Sequence, residues 1–381
     1  MIYFGIFLYL GFLAFYYDYA HAKRARSFNY VMAFLLLVGL SGFRYKVGGD
    51  TYNYMHMHDF MPNLSDLFDN DLGIEKLQPL WLLLSATAKS IGNDFFILQL
   101  MHAFIVNGVI FLHIRNATTA RFSIIFCYYF TLYPYFNFEI LRESLAISFF
   151  LLSIKQYNNS QWIRYYLLAT VAFLFHFSAI FLFGLPLIKN VKAKPYLIIL
   201  LFTVSIIINP YFLTLLASSV LTENFFSAAG EYIEYKYTIF GLASLLLMYI
   251  IYPTALYKLS VATSTHSKYH ELAKKAIIIG AVTPLFFIFF RFLNYFSLIF
   301  VIIFAESIQN INRIKRIRLI RPIIVIIAFI AFMVFNTARF FSDTSELAES
   351  SRWYQRWVPY HSIFDPVSDP VREQMIENSR P

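Results

Sequence analysis

Charged residues and cysteines are scarce in this chain of 381 residues. Only 14% of the residues are charged, whereas about 25% is usual for a soluble domain. The single cysteine, Cys127, lies inside an apolar stretch, which excludes an intramolecular disulfide and a cysteine-based metal site. Hydrophobic residues make up 59% of the chain, so we expect lipid to surround much of it.

Motifs for nucleotide and metal chemistry are missing as well. No GxxxxGK[ST] loop occurs, which argues against ATP-driven pumping by this chain alone. No HExxH pattern occurs, and two histidines in one loop, His56 and His58, are weak evidence for a metal site. We therefore predict that the protein uses neither a metal nor a cofactor.

The formal net charge of +9 comes from lysines and arginines that form short clusters between apolar segments. These clusters lie at residues 23–26, 189–194, 258–275 and 313–321. Such a pattern is typical of cytoplasmic loops in membrane proteins, so it removes the reason to expect nucleic acid as a partner. The apolar residues 2–17 are interpreted as a first span that begins outside, not as a cleaved signal peptide.

Uninterrupted apolar stretches predict the fold class. They cover residues 1–19, 28–43, 79–114, 121–154, 163–188, 195–217, 238–257, 275–310 and 322–341. In lipid such runs must form helices to satisfy their backbone groups, so we predict an all-α polytopic integral membrane protein with about 10 to 12 transmembrane helices. One helical domain covers residues 1–341, with an outer loop at 43–78, and residues 342–381 form a polar tail on the outer face.

Two apolar stretches are too long for one span and are predicted to be hairpins. Basic flanks place the turn of residues 275–310, near Arg291 and Asn294, on the outer side. Weaker basic flanks place the turn of residues 121–154 outside too, and this turn carries Glu139, Arg142 and Glu143. The outer side also receives the acidic segment with Glu223, Glu231 and Glu234.

A plain count of spans conflicts with this arrangement. Counting every stretch as one or two full spans gives roughly twelve crossings and puts Arg142 on the cytoplasmic side. The conflict disappears if part of residues 79–114 is re-entrant and residues 163–188 bend back near His176.

The first polar segment with candidate ligands is GFRYKVGGDTYNY, residues 42–54. Its glycines allow tight turns and close approach to a ligand, and Arg44 and Lys46 are suited to holding an anion. The alternative is a purely structural loop, in which Asp50 or Thr51 caps a short helix and Arg44 reaches towards lipid headgroups.

Two further segments combine polar residues with apolar surroundings. Glu139, Arg142 and Glu143 lie three and four residues apart on one helical face, as either a functional cluster or a structural ion pair. His176, in FLFHFSA, is suited to act as a general base or to bind a sugar hydroxyl, although a packing role is the alternative. Arg291 and Arg339 are additional basic candidates near the outer face.

Five segments together carry a resemblance to a known family. In chain order they are GFRYKVGGDTYNY, QPLWLL at 78–83, NDFFILQ at 93–99, FEILRESLAIS and AFLFHFSAI. Their order and spacing, over roughly residues 40–190, resemble the EpsG family of Wzy-like polysaccharide polymerases. The Arg-Gln pair that is usual in the family appears here as Arg142-Glu143.

The resemblance implies a metal-independent glycosyltransferase on the outer face of the bacterial cytoplasmic membrane. It would polymerise oligosaccharide repeat units linked to polyprenyl diphosphate into an exopolysaccharide or O-antigen, with a flippase and a chain-length regulator as partners. Arg44, Arg142 and Arg291 would hold the diphosphate, and His176, or Glu143 in second place, would be the base. The other substrate-binding candidates are Lys46, Asp50, which positions Arg44 or a sugar hydroxyl, and Glu139.

Three other functions stay open at this point. A transporter or flippase of lipid-linked sugars would also place arginines in an outward cavity, but it predicts inverted repeats that the sequence does not show. A glycan acyltransferase would use His176 as its base and would need a cytoplasmic pocket for the acyl donor. A glycan ligase differs from a polymerase mainly in its acceptor.

Overall fold

The computed structural model describes residues 2–67, 78–217, 239–263, 268–285, 289–311, 327–332, 334, 337 and 352–378. Within these ranges the regular structure is helical, and the only strand-like pairings are isolated bridges from Ser362 to Arg44 and to Asp365. The predicted all-α class is confirmed. The acidic segment with Glu223, Glu231 and Glu234, the basic cluster at 313–321 and Arg339 lie outside the described residues.

The helices group into two compact units, unit 1 with residues Met1–Ile180 and Leu319–Pro381, and unit 2 with Phe181–Arg318. The predicted helical domain of residues 1–341 therefore comprises parts of two units. Unit 1 contains α1 (Ile2–Leu13, continued by a π-helix at Ala14–Tyr19), α2 (Arg26–Gly42), α3 (Thr51–Asp59), α4 (Pro79–Ile91), α5 (Phe95–Ala117), α6 (Arg121–Thr131), α7 (Leu141–Asn158), α8 (Trp162–Phe175) and α16 (Pro370–Asn378). Unit 2 contains α9 (Phe181–Gly184), α10 (Pro195–Ala217), α11 (Ile239–Leu246), α12 (Tyr252–Ala262), α13 (His270–Val282), α14 (Phe290–Asn294) and α15 (Ser297–Gln309).

Long apolar helices confirm a protein that crosses the membrane several times. Three described helical segments are long and apolar enough to cross a bilayer, namely Ile2–Tyr19, Phe95–Ala117 and Ile239–Ala262. Shorter apolar helices accompany them, among them Arg26–Gly42, Trp162–Phe175 and Ser297–Gln309. On α1, the large apolar side chains of Phe4, Leu8 and Phe12 are exposed at intervals of four residues, as expected for a face in contact with lipid.

Helices α2, α5, α6 and α7 of unit 1 run in alternating directions. The end of α2 meets the start of α5, where Gly42 packs against Leu100, and the start of α2 meets the end of α5, where Arg26 donates to the Thr119 carbonyl at 2.7 Å. Helix α6 returns from that side, and α7 leaves again from the turn after it. At one end of unit 1, α2 ends and α5 begins. We call this end the Arg44 end.

A ring of buried amides fixes α5 against α6 and the turn that follows α6. Asn107 donates to Asn137 at 2.7 Å, Asn137 donates to the Tyr128 hydroxyl at 3.0 Å, and that hydroxyl donates back to Asn107 at 3.1 Å. All three side chains are fully buried. Because a polar group without a partner is costly in an apolar interior, the three residues stabilise each other only in this arrangement.

Helix α4 is too short to cross a membrane and begins and ends near the Arg44 end. Its 13 residues span about 20 Å. Before its first residue, Gln78 accepts a hydrogen bond from Arg142, and near its last turn Lys89 donates to the His58 carbonyl at 3.0 Å. Residues 79–114 are therefore one short helix and one crossing, which is the arrangement that the charge-based topology requires.

The apolar stretch 163–188 is interrupted where a bend was expected. Helix α8 ends at Phe175, and His176 has an extended backbone with φ −155° and ψ 131°. Short 3₁₀ and α-helical turns follow from Phe177. The stretch is thus not one straight helix.

Unit 2 also shows a break inside its predicted hairpin. Helices α13 and α15 are separated by a 3₁₀ turn at Thr283–Leu285 and by the short α14, which carries Arg291 and Asn294. The carbonyls of Pro284 and Leu285 accept hydrogen bonds of 3.0 Å from Asn209 of α10. The break near Arg291 is therefore at the predicted position.

Replacement of Gly42 by alanine tests the close contact between α2 and α5. A Cβ atom at Gly42 would lie 3.1 Å from the Leu100 Cα, and overpacking of this kind usually costs about 1 to 3 kcal/mol. We expect Gly42→Ala to lower the melting temperature of the purified protein in detergent. Gly39→Ala is the matched control, because its Cβ would meet only Phe43 at 3.8 Å. Equal melting temperatures for the two variants would contradict this packing.

Candidate functional site

The guanidinium of Arg44 is buried at the end of α2, and only 1% of the residue is exposed. Its Nε donates to the Val47 carbonyl at 3.0 Å, and its Nη1 donates to the Ser41 carbonyl. Its charge lies 5.1 Å from the ring centre of Phe138. Burial lowers the pKa of Arg44 to about 10, so it stays protonated at neutral pH. Arg44 therefore holds its own loop closed and keeps few donors for a ligand.

The glycines of the same loop approach protein groups. Gly48 has φ +116°, which favours glycine, and a Cβ there would lie 2.6 Å from the Phe138 carbonyl. A Cβ at Gly49 would lie 2.5 Å from both the Glu139 carboxylate and the Arg356 guanidinium. The close approach predicted for these glycines is thus made to the turn before α7 and to the C-terminal tail.

Glu139 joins three separate parts of the chain. Its Oε1 accepts hydrogen bonds of 2.7 Å from the backbone N–H of Gly49 and from the indole N–H of Trp357. Its Oε2 lies 3.7 Å from Arg356, whose guanidinium lies 4.0 Å above the ring centre of Trp353. Glu139 is 7% exposed and therefore fixes the loop and the tail to the turn.

The tail lies against the loop that follows α2. The buried Arg372 donates to the carbonyls of Gln355 at 3.1 Å, Lys46 at 2.9 Å and Pro359 at 2.5 Å. Lys46 in turn donates to Glu373 at 2.8 Å, and Tyr52 donates to the same carboxylate oxygen at 3.0 Å. Lys46, a predicted anion ligand, is therefore engaged in an ion pair between loop and tail.

Arg142 lies at the start of α7, where its guanidinium contacts Gln78 and Tyr54. Its Nη1 donates to the Gln78 side-chain carbonyl at 3.1 Å, and its charge lies 5.8 Å from the ring centre of Tyr54. Its Nε is buried and has no acceptor among the described residues. A guanidinium can offer Nε together with Nη2 to two oxygens, so this edge of Arg142 suits a phosphate.

A cavity of about 480 Å³ opens at the Arg44 end of unit 1. The walls are polar and aromatic, and consist of Arg44, Tyr45, Lys46, Met55, Asp94, Phe95, Phe96, Gln99, Ile363 and Pro366. Arg142 does not line this cavity, but it lies against the same helix α3, which contributes Met55 to the cavity wall and Tyr54 to the contact with the guanidinium. This volume lies within the range of small-molecule sites, which is about 300 to 1,000 Å³.

His176 lies at the end of α8 with its ring oriented by Ser178. Its Nδ1 accepts a hydrogen bond from the Ser178 backbone N–H at 3.2 Å and lies 2.7 Å from the Ser178 hydroxyl. A backbone N–H can only donate, so the neutral ring carries its proton on Nε2. In this arrangement Nε2 of His176 is a hydrogen-bond donor. For His176 to accept a proton as a base, Nδ1 would have to leave Ser178.

Three further predicted site residues are Glu143, Asp50 and Arg291. Glu143 is buried on the first turn of α7, one residue after Arg142. Asp50 occupies the N-cap position of α3, but its side chain makes no capping hydrogen bond, and Thr51 donates instead to the Val47 carbonyl at 2.7 Å. Arg291 belongs to unit 2, where its guanidinium lies 5.7 Å from the ring centre of Phe290.

Comparison with known proteins now adds a family to this geometry. Residues 27–362 match the model of the EpsG family, which covers most of the chain. The chain belongs to the EpsG family. Neither a curated protein nor a solved structure gives a significant match. Membership of the EpsG family indicates a polysaccharide polymerase role in a membrane protein, and the match includes all the cavity-wall residues except Ile363 and Pro366.

Several residues of this EpsG-family site were not found from sequence. Arg356 and Arg372 of the tail contact the loop, and Trp357 contacts Glu139 in the turn before α7. The tail predicted to lie outside contains four arginines, which was a signal against the positive-inside pattern. Gln99 and His102 are buried in the apolar helix α5. Polar residues inside such a helix are functional candidates, but uncharged ones give a weaker signal in the sequence than charged ones do.

Removal of the Arg372 donors tests whether the tail holds the loop. Arg372→Met leaves the carbonyls of Gln355, Lys46 and Pro359 without this donor, so we expect amide hydrogen exchange in residues 43–50 to become at least tenfold faster. Val371→Ala is the control, because Val371 is exposed on the same helix. Unchanged exchange in Arg372→Met would show that the loop is ordered without the tail.

Acid should weaken the contact between the tail and the loop after α2, which includes the ion pair of Lys46 with Glu373. The hydrogen bond from Lys46 lowers the pKa of Glu373 below its usual value of 4.5. A carboxylate with a lowered pKa stabilises the fold above pH 4.5, and this stabilisation is lost as the pH falls through the lower folded value. We expect tryptophan fluorescence to report an acid transition below pH 4.5 in the wild type that Glu373→Gln lacks. The same transition in both proteins would exclude Glu373 as its cause.

Proposed function

We propose that this protein is the polymerase that joins lipid-linked oligosaccharide repeat units on the outer face of the bacterial cytoplasmic membrane. The observation that supports this proposal is the cavity of about 480 Å³ at the Arg44 end of unit 1. The Arg142 guanidinium, whose buried Nε has no acceptor among the described residues, and a polar, aromatic cavity at the same end of unit 1 suit a substrate with a diphosphate and a sugar chain. Family membership gives the reaction class independently.

In the proposed reaction the growing chain is transferred from polyprenyl diphosphate to a hydroxyl group of the incoming repeat unit. The bond between the anomeric carbon and the diphosphate oxygen breaks, the acceptor oxygen forms the new glycosidic bond, and the acceptor proton passes to a base. Polyprenyl diphosphate leaves with additional negative charge. Arg142 would stabilise this charge, since its Nε has no acceptor among the described residues and a guanidinium binds two phosphate oxygens well.

The base of the proposed reaction is either His176 or Glu143. His176 would have to release Ser178 from Nδ1 before it accepts a proton, so substrate binding would have to rearrange the turn at Phe177–Ile180. Glu143 is adjacent to Arg142 and needs no change of tautomer. Neither role requires a metal or a nucleotide. A flippase would supply the substrate, and a chain-length regulator would act on the product.

Replacement of Arg142 by lysine is the experiment that tests this proposal. Lysine keeps the charge and loses the planar pair of donors, so we expect long polymer to decrease on the order of 10²-fold, with single repeat units accumulating. Polymer length is measured on gels of cell extracts, and the membrane abundance of each variant is measured by immunoblot.

The matched control is Arg164→Lys, which changes an exposed arginine of α8 in the same way. It should leave polymer length unchanged. If Arg142→Lys is present at normal levels and still makes long polymer, Arg142 does not belong to the reacting site. In that case its contacts with Gln78 and Tyr54 serve only to hold α7 in place.

A further inference from the structure

Three buried polar atoms around the inner end of the cavity have no hydrogen-bond partner among the described residues. They are Nη2 of Arg44, Nε2 of Gln99 and Nδ1 of His102. The residues are 1%, 2% and 0% exposed, respectively. Buried polar atoms nearly always have a partner, because leaving them without one costs free energy. Three such atoms close together therefore indicate a ligand.

The three residues belong to one neighbourhood. Arg44 and Gln99 both line the cavity. His102 lies one helical turn after Gln99 on α5, and the charge of Arg44 acts on its ring. On the other side of His102 is the start of α7, one residue before Arg142. The cluster thus connects the cavity wall to the turn that carries the proposed phosphate ligand.

The bonds already made determine what each of the three atoms can do. Arg44 uses Nε and Nη1 for backbone carbonyls, so only Nη2 remains, and it can only donate. The amide nitrogen of Gln99 is also a donor. His102 places Nε2 at 2.9 Å from the Ser144 hydroxyl and 3.0 Å from the Leu141 carbonyl. The Ser144 hydroxyl donates to that carbonyl, which can only accept, so the proton of the neutral ring is on Nε2. Its Nδ1 is consequently an acceptor.

Two donors and one acceptor are the complement of a single hydroxyl group. We propose that Arg44, Gln99 and His102 form a subsite for one hydroxyl group of the saccharide substrate. The hydroxyl oxygen accepts from Arg44 and Gln99, and its proton is donated to His102. An ionised diphosphate has no proton to donate to His102, so the geometry favours a hydroxyl group over a phosphate.

The rest of the cavity suits a sugar ring. Tyr45, Phe95 and Phe96 offer aromatic surfaces to the apolar face of a pyranose, and Asp94 at the opening can accept hydrogen bonds from further hydroxyl groups. This assignment rests on the proposed function and divides the substrate between two places. The saccharide occupies the Arg44 cavity, and the diphosphate binds Arg142. It also changes the role expected for Arg44, which becomes a saccharide ligand with a single donor.

The test compares saccharide binding with diphosphate binding in the full chain, purified in lipid nanodiscs. The probes are the repeat-unit oligosaccharide, released from the lipid-linked intermediate of the producing strain, and inorganic pyrophosphate. The variants are Gln99→Leu, which removes one donor, and His102→Gln, which keeps an amide near the Leu141 carbonyl but removes the Nδ1 acceptor. Gln161→Leu, at an exposed position before α8, is the control for the same type of change.

We expect each of the two variants to weaken oligosaccharide binding about tenfold by calorimetry, as for the loss of one hydrogen bond in a buried site. Pyrophosphate binding and the melting temperature should stay close to the wild type. The proposal is wrong if the variants lower the melting temperature and leave oligosaccharide binding unchanged, because the three atoms would then hold a structural water. It is also wrong if the wild type does not bind the oligosaccharide.

A separate assay of chain elongation keeps the two proposals distinguishable. If the wild type binds the oligosaccharide through Gln99 and His102 but does not elongate lipid-linked repeats, the polymerase proposal fails and the subsite stands. If the wild type elongates and Gln99→Leu binds the oligosaccharide normally, the subsite fails and the polymerase proposal stands.

Discussion

The Glu139 carboxylate is the interaction on which the site depends. It accepts hydrogen bonds from Gly49 and Trp357 and pairs with Arg356, so one buried charge joins the loop after α2, the turn before α7 and the C-terminal tail. A buried carboxylate is stable only with such partners, and each partner needs the carboxylate in return. The three segments therefore take up their positions together.

The apolar surroundings explain why several residues that were predicted to bind substrate instead form hydrogen bonds or ion pairs within the protein. Lys46 pairs with Glu373, and Arg44 uses two of its donors on backbone carbonyls. Asn107 of α5 and Asn137 of the turn after α6 bind each other for the same reason, since the interior of a bilayer offers no water to satisfy polar side chains. Polar residues at the Arg44 end thus first order the backbone, and only the donors and acceptors left over can serve a substrate.

Those remaining groups divide into two kinds that match the two parts of the proposed substrate. The Nε of Arg142 has no acceptor among the described residues, which suits a phosphate oxygen. Arg44, Gln99 and His102 have single donors and one acceptor, which suit a hydroxyl group. His102 bonds the first residue of α7, so the start of α5, which carries the cavity-wall residue Gln99, is fixed to the Arg142 turn.

The sequence by itself determined the helical membrane class, because apolar runs of this length have no other way to satisfy their backbone in lipid. Its basic flanks also predicted that Glu139 and Arg142 lie at an outer turn, on the side expected for Arg44. Only the tertiary structure decided which atoms of Glu139 and Arg142 form hydrogen bonds within the protein. The tail contacts of Glu139 span more than 200 positions in sequence, and the placement of Gln99 and His102 near Arg44 depends on how α5 packs against α2. Hydrogen bonds between distant segments leave no periodic signal along the chain, so they become visible only once the helices are assembled.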